Sequence, residues 1–157
     1  MSVELNNESG DEADEKGLTA LATWVLGELR IHPQAELSIV LVDEETMAAY
    51  HVKYMDLPGP TDVLSFPMDE LRIPEPDEPE PAGLLGDIVL CPAVTARQAA
   101  ENARTPDQEA EYLLVHGILH LLGYDHATPE EHAEMFGLHD RLMAAYEAHR
   151  ASAGGKA

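Results

Sequence analysis

Positive charge is scarce in this chain. Nine Lys and Arg stand against thirty Asp and Glu, a formal net charge of −21 at pH 7. A surface of that sign repels polyanions and argues against avid, non-specific nucleic-acid binding. It leaves room for a metal-centred site that grips a single phosphodiester. Much of the acidity is local, because eleven of the thirty carboxylates fall between Glu8 and Glu15 or between Asp69 and Glu80. Cysteine is nearly absent: Cys91 stands alone, which excludes an intramolecular disulfide, and its apolar surroundings from Asp87 to Cys91 predict a small buried side chain. No apolar run approaches the length of a membrane span, and no basic segment followed by an apolar one opens the chain. The expectation is a soluble, cytoplasmic protein. At 157 residues with 45% hydrophobic content it is expected to form one domain over 1–157.

The hydrophobic pattern predicts an α+β fold. Ser2 to Leu5 alternates like a short strand. Leu18, Leu21, Ala22, Val25, Leu26 and Leu29 recur at helical spacing, predicting a helix from about Asp14 to Arg30 with Trp24 at the margin of its stripe. Leu37 to Val42 reads as a buried strand. Asp43 then caps a short helix through Met47 and His51, with Glu44 and Glu45 in its first turn. Gly59 to Pro67 reads as a turn feeding a proline-bounded strand on a sheet edge, beside a cleft. Residues 68–82, with Pro74, Pro76, Pro79 and Pro81 among carboxylates, form a surface loop without a core of its own. Leu84 to Cys91 is the next strand, and Pro92 starts a helix through Ala100. Thr105, Pro106 and Gln108 supply a capping box and a first-turn proline for a central helix. Its buried stripe is Ala110, Leu113, Leu114, Gly117, Ile118 and Leu121, while Tyr112, His116 and His120 share a neighbouring face. Thr128, Pro129 and Glu131 start a last helix with an apolar stripe of Met135, Leu138, Leu142 and Ala145, and 151–157 is a frayed tail. The whole reads as a small mixed four-stranded sheet with helices packed on its faces.

The chemistry concentrates in His116-Gly117-Ile118-Leu119-His120-Leu121-Leu122-Gly123-Tyr124-Asp125-His126. His116 and His120 are four apart and lie one above the other on a helix. Gly123 accepts the positive φ that ends a helix, and the turn swings His126 toward the first two imidazoles. Three imidazoles suit one zinc ion with a fourth position open, as in a catalytic site. A lone histidine on an apolar helix is ordinarily a packed or boundary residue. The third histidine and the glycine at these offsets make coincidence a poor account. His132, His139 and His149 lack such company and read as solvated.

This spacing is also that of the zincin-like metzincin peptidases, whose glutamate after the first histidine is the general base. Gly117 stands in its place here. The geometry of the site is kept and the peptidase base is gone.

Three runs, PTDVLSFP (Pro60 to Pro67), LGDIVLC (Leu85 to Cys91) and HGILHLLGYDH (His116 to His126), occur in the order and separation at which the chain resembles the YbeY family of bacterial endoribonucleases. The resemblance covers nearly the whole chain, excepting the acidic loop and the two ends. It implies a zinc-dependent hydrolase of single-stranded RNA, active in 16S rRNA 3′-end maturation and ribosome quality control, with the ribosome or its small subunit as partner. The family's metal-binding histidines map onto His116, His120 and His126. Members usually carry an arginine a few residues before PTDVLSFP. Met55 stands there, and methionine cannot neutralise a phosphate. Lys53 or His51 substitutes for it, or RNA is held differently, or the activity is weak.

Hydrolysis also needs a group that accepts or relays a proton. Asp62, Asp87 and Asp125 are the candidates, although Asp125 serves equally well to orient a ligating imidazole. Asp62 and Asp87 serve equally well to fix strand ends. Lys53, Arg97 and Arg104 are the cations placed in sequence to meet phosphates, or else are solvated surface residues. Two other readings compete. One is an amide hydrolase on the same metal, which Gly117 opposes. The other is a ribosome assembly factor containing zinc but with little nuclease activity, which the net charge and Met55 favour.

Overall fold

The computed structural model describes residues 3–55 and 61–154. In chain order the elements are β1 (Val3–Asn7), α1 (Glu15–Glu28), β2 (Glu36–Leu41), α2 (Glu44–Met55), β3 (Val63–Pro67), β4 (Leu84–Leu90), α3 (Pro92–Glu101), α4 (Pro106–Leu121) and α5 (Pro129–Gly154). The fold is α+β, with one mixed four-stranded sheet ordered β1-β2-β4-β3. β1, β2 and β4 run parallel, and β3 is antiparallel to β4 at the sheet edge. The edge position expected from the prolines is therefore met. Ser2, the turn at Gly59 and Pro60, and residues 155–157 of the expected tail lie outside the described residues. The expected tail begins at Ala151, but α5 continues through 151–154.

Strand alternation divides the core in two. Leu37, Ile39 and Leu41 of β2 and Ile88 and Leu90 of β4 point to one face, where Leu21 and Val25 of α1 and Leu114, Ile118 and Leu121 of α4 pack on them. On the other face Leu64 and Val89 meet Val42, Met47 and Cys91, with Tyr50 and Phe66 packed at the margin. Helices thus cover both faces, and Cys91 is buried. Gly86 sets the crossing of the sheet. Its φ is +141°, and a Cβ there would sit 2.3 Å from the Phe66 carbonyl oxygen, so β3 approaches β4 only over a glycine.

The helix ends follow the local sequence. The Asp14 side chain accepts from Gly17 N at the start of α1, and Asp43 accepts from Thr46 N at 2.8 Å at the start of α2. Thr105 and Gln108 close the capping box of α4 in both directions. At its other end Gly123 has φ +96°; its N–H donates to the His120 carbonyl, and Tyr124 N–H donates to that of Leu119. This pairing is a Schellman ending, which turns the chain sharply while satisfying the last carbonyls.

The acidic loop, expected to have no core of its own, is strapped to the body: both Arg30 terminal nitrogens donate at 3.0 Å to the carbonyls of Glu75 and Glu78, and Leu71 and Ile73 pack against the main core. Arg30 reaches the loop from a left-handed backbone, φ 59°, just past the end of α1. The buried face of α5 is Met135, His139, Leu142 and Tyr146, with Ala145 exposed. His139, expected to be solvated, is wholly buried, because the i, i+4, i+7 repeat that buries Met135 and Leu142 also carries position 139 inward. His132 and His149 are exposed, as expected.

Candidate metal centre

The Schellman turn after α4 brings the three histidines together. The Nε2 atoms of His116 and His120 are 3.0 Å apart, and one nitrogen from each of His116, His120 and His126 lies within 4.8 Å of the others. His120 Nδ1 is 2.9 Å from the carbonyl oxygen of Tyr124. A carbonyl only accepts, so Nδ1 carries the proton and the Nε2 lone pair faces the cluster. Tetrahedral ligands at 2.0–2.1 Å from one ion stand about 3.3 Å apart, so the His116–His120 spacing needs only a small adjustment. The donor set fits a divalent ion.

Electrostatics favours neutral imidazoles. Burial, followed by the neighbouring imidazoles of His120, His139 and His126, drives the His116 pKa from 6.5 to about 4, against a weaker pull from Asp62. His120 is lowered chiefly by burial, while its bond to the Tyr124 carbonyl acts the other way. Both offer lone pairs at neutral pH, the form a metal requires.

The cluster opens into a cavity of about 630 Å³, between β3, the start of the α4–α5 turn and Phe136 of α5. Asp62, Asp125, Ser65 and Met55 are among its walls, and none of its lining residues is Lys or Arg. Asp62 lies at its edge, with Oδ1 accepting from Val63 N at 2.7 Å. Asp125 Oδ1 accepts from His126 N at 2.7 Å. Asp87 is not brought to the cluster; strand alternation turns it to a separate depression with Glu4, Glu36 and Ser38. Lys53 is exposed near the end of α2, its Nζ 5.2 Å from the Tyr54 ring centre. Arg97 is paired with Glu44. Arg104 is bound to Glu109 at 2.7 Å and stacks 4.3 Å from the Tyr112 ring centre, behind the cavity wall.

Three neighbours were not legible as parts of the site. Phe136 stands 5.6 Å from His116 and 6.0 Å from His126, centre to centre. Ser65 donates to the Gly117 carbonyl at 3.3 Å, joining the edge strand to α4 between the two helical histidines. His139 Nε2 is 3.0 Å from the Tyr112 carbonyl, and its Nδ1 has no hydrogen-bond partner among the described residues. Only helical periodicity, reading 132, 136 and 139 as one face of α5, would have signalled the first and third. Gly117 has a packing reason: a Cβ there would meet Ile88 Cδ1 and Ser65 Oγ at 3.2 Å each. Any side chain at this position would have to displace Ile88 or Ser65.

Similarity to known proteins extends over nearly the whole chain. The family model described as "Endoribonuclease YbeY" matches residues 4–147. A Cutibacterium acnes protein named "Endoribonuclease YbeY" is 66% identical over 152 residues, covering 97% of this chain and 98% of its own. One of the same name from Streptomyces coelicolor is 54% identical, covering 98% and 95%. A solution structure of a Thermotoga maritima protein shares the fold, with TM-score 0.58 at 21% identity and 93% coverage of both chains.

Proposed function

Because this chain belongs to the YbeY endoribonuclease family, we propose that it is a zinc-dependent endoribonuclease specific for single strands. Its place is late 16S rRNA 3′-end maturation and ribosome quality control in the cytoplasm, with the small ribosomal subunit as partner. The observation that carries the reading is the convergence of His116, His120 and His126 on one point at the floor of a cavity large enough for a nucleotide.

His116, His120 and His126 would hold the zinc in a zincin-like arrangement. When bound, the ion supplies Lewis acidity to the phosphodiester and activates a water for attack. The chain's own residues do the rest. The Tyr124 carbonyl fixes the His120 tautomer, and burial keeps His116 neutral, so neither ligand site is lost to a proton near pH 7. Asp62 takes the role of acceptor for the proton released in attack, a reading supported by its place on the cavity wall and its electrostatic pull on His116. Asp125 orients the turn that carries His126, by accepting from its backbone N–H. Arg97 and Arg104, already engaged by Glu44 and Glu109, are poorly placed to meet phosphates, and Lys53 is the cation left for that role.

The test is an end-labelled single strand copying the 3′ end of precursor 16S rRNA, incubated with zinc-quantified protein and with a folded His120→Ala variant. Cleavage by the wild type alone supports the reading. Stoichiometric zinc without cleavage sinks it for the isolated protein. The net charge of −21 and the lack of Lys or Arg among the described residues lining the cavity favour one second reading, an assembly factor whose zinc is structural. That reading expects ribosome co-sedimentation to survive in a folded variant lacking the histidines.

A further inference from the structure

We propose that Tyr54, braced between Tyr50 and Phe66, is a stacking platform for an unpaired base of single-stranded RNA at the rim of the histidine cavity; this rests on the endoribonuclease reading above. Tyr50 and Tyr54 are one helical turn apart on α2, ring centres 5.9 Å apart, and Phe66 of β3 meets Tyr54 edge-on at 5.1 Å. Two aromatic neighbours hold the ring, yet Tyr54 remains 50% exposed. An aromatic ring that is braced on one side and open on the other suits planar stacking, because little rotamer freedom remains to be lost.

Position supplies the second argument. Met55, the next residue, is 45% exposed and lines the cavity that holds His116 and His120. Tyr54 itself stands outside that lining, against Phe66 of β3, so one edge strand lies between the platform and the site. β3, which separates them, is an edge strand, so no further strand blocks the path among the described residues.

Charge supplies the third. A chain of net charge −21 with no Lys or Arg among the described residues of the cavity wall is poorly equipped to hold RNA mainly through phosphates. Stacking on an aromatic face is indifferent to that deficit and tolerates any base. Lys53, whose Nζ lies over the Tyr54 ring 5.2 Å from its centre, swings aside when a base stacks there and leaves one cation beside the stacked nucleotide.

The experiment uses the full-length, zinc-loaded protein and a short single-stranded RNA carrying one 2-aminopurine, with recovered RNA checked for integrity. Wild type and Tyr54→Phe quench the probe and bind alike. Tyr54→Ala, with unchanged zinc content and melting temperature, loses the quench and binds roughly 5- to 150-fold more weakly, the worth of one base–aromatic stack. The salt dependence of wild-type binding is shallow, with a log–log slope no steeper than about −2. If the wild type cleaves RNA while Tyr54→Ala binds and quenches as it does, the platform is overturned and the nuclease stands. Quenching that depends on Tyr54 without any cleavage upholds the platform and removes the nuclease. Unchanged RNA binding with weakened co-sedimentation of ribosomal subunits assigns the patch to a protein partner and overturns the proposal. A wild type that neither binds nor cuts RNA overturns both.

Discussion

The Nε2 atom of His139 lies 3.0 Å from the main-chain oxygen of Tyr112, one turn before His116 on the neighbouring helix. The pair locks α5 to α4 beside the metal centre. Since the imidazole is wholly buried, truncation leaves a void and removes the second hydrogen bond of a carbonyl that already accepts within α4. His139→Ala should lower the unfolding free energy by about 2–5 kcal/mol in urea titrations, the range for a large-to-small core change. A change below about 0.5 kcal/mol would show that the pair contributes little.

Zinc should stabilise the fold by mass action. With free zinc at a thousandfold excess over its Kd, unfolding should cost about 4 kcal/mol more than in chelator. His120→Ala should abolish most of that increment while leaving the chelated protein close to wild type. Calorimetry with and without chelator reads both numbers.

Gly117→Glu restores the residue at the position of a peptidase base, and it should fail to make a peptidase. A Cβ there would meet Ile88 and Ser65 at 3.2 Å, so the longer, charged side chain would force its neighbours apart. Overpacking and burial of a carboxylate together should cost at least about 3 kcal/mol. A stable variant with amide hydrolysis would refute this account of the position.

The metal-free protein should lose stability from its imidazoles as pH falls from 6.5 toward 4. The native pKa of His116 is depressed to about 4, and that of His139 is lowered, in both cases chiefly by burial. In that window the unfolded chain takes up protons that the native imidazoles refuse, so this contribution is complete above 6.5 and declines below it. Glu111 opposes the trend, because burial raises its native pKa and its contribution is lost as pH rises. The comparison that isolates the effect is urea midpoints in chelator for wild type against His116→Ala, whose pH slope should be shallower. Equal slopes would place the titration elsewhere.

Arg30→Ala should release the acidic loop. Two guanidinium hydrogen bonds are lost from an exposed surface, so stability should fall by only about 1 kcal/mol. Cleavage by a protease within 70–80 should accelerate much more than global unfolding does. Unchanged nicking would mean that Leu71 and Ile73 hold the loop unaided.

The features legible in the sequence were those whose causes are local. Thr105 and Gln108 announced the start of α4, Gly123 announced its end, and the offsets of the three histidines followed from one helix and one turn. Alternation and prolines placed β3 at an edge. The remainder depended on how distant elements pack. His139 is buried because α5 seats that face on α4, and Arg97 and Arg104 are engaged by carboxylates that only the fold brings near. Asp87 faces away from the histidines although parity with Ile88 already implied it.

All three histidines that could hold a metal lie within eleven consecutive residues of the chain. Forming the ligand set therefore closes only a short loop, and the entropy of joining its ends is small. The cavity wall supplied by β3 is more than fifty residues away in sequence, as the Ser65–Gly117 bond shows. A metal-binding cluster of this kind needs little long-range order, whereas the cavity wall needs the most distant chain crossings. Damage to the long-range topology should erase selectivity for RNA before it erases affinity for the ion.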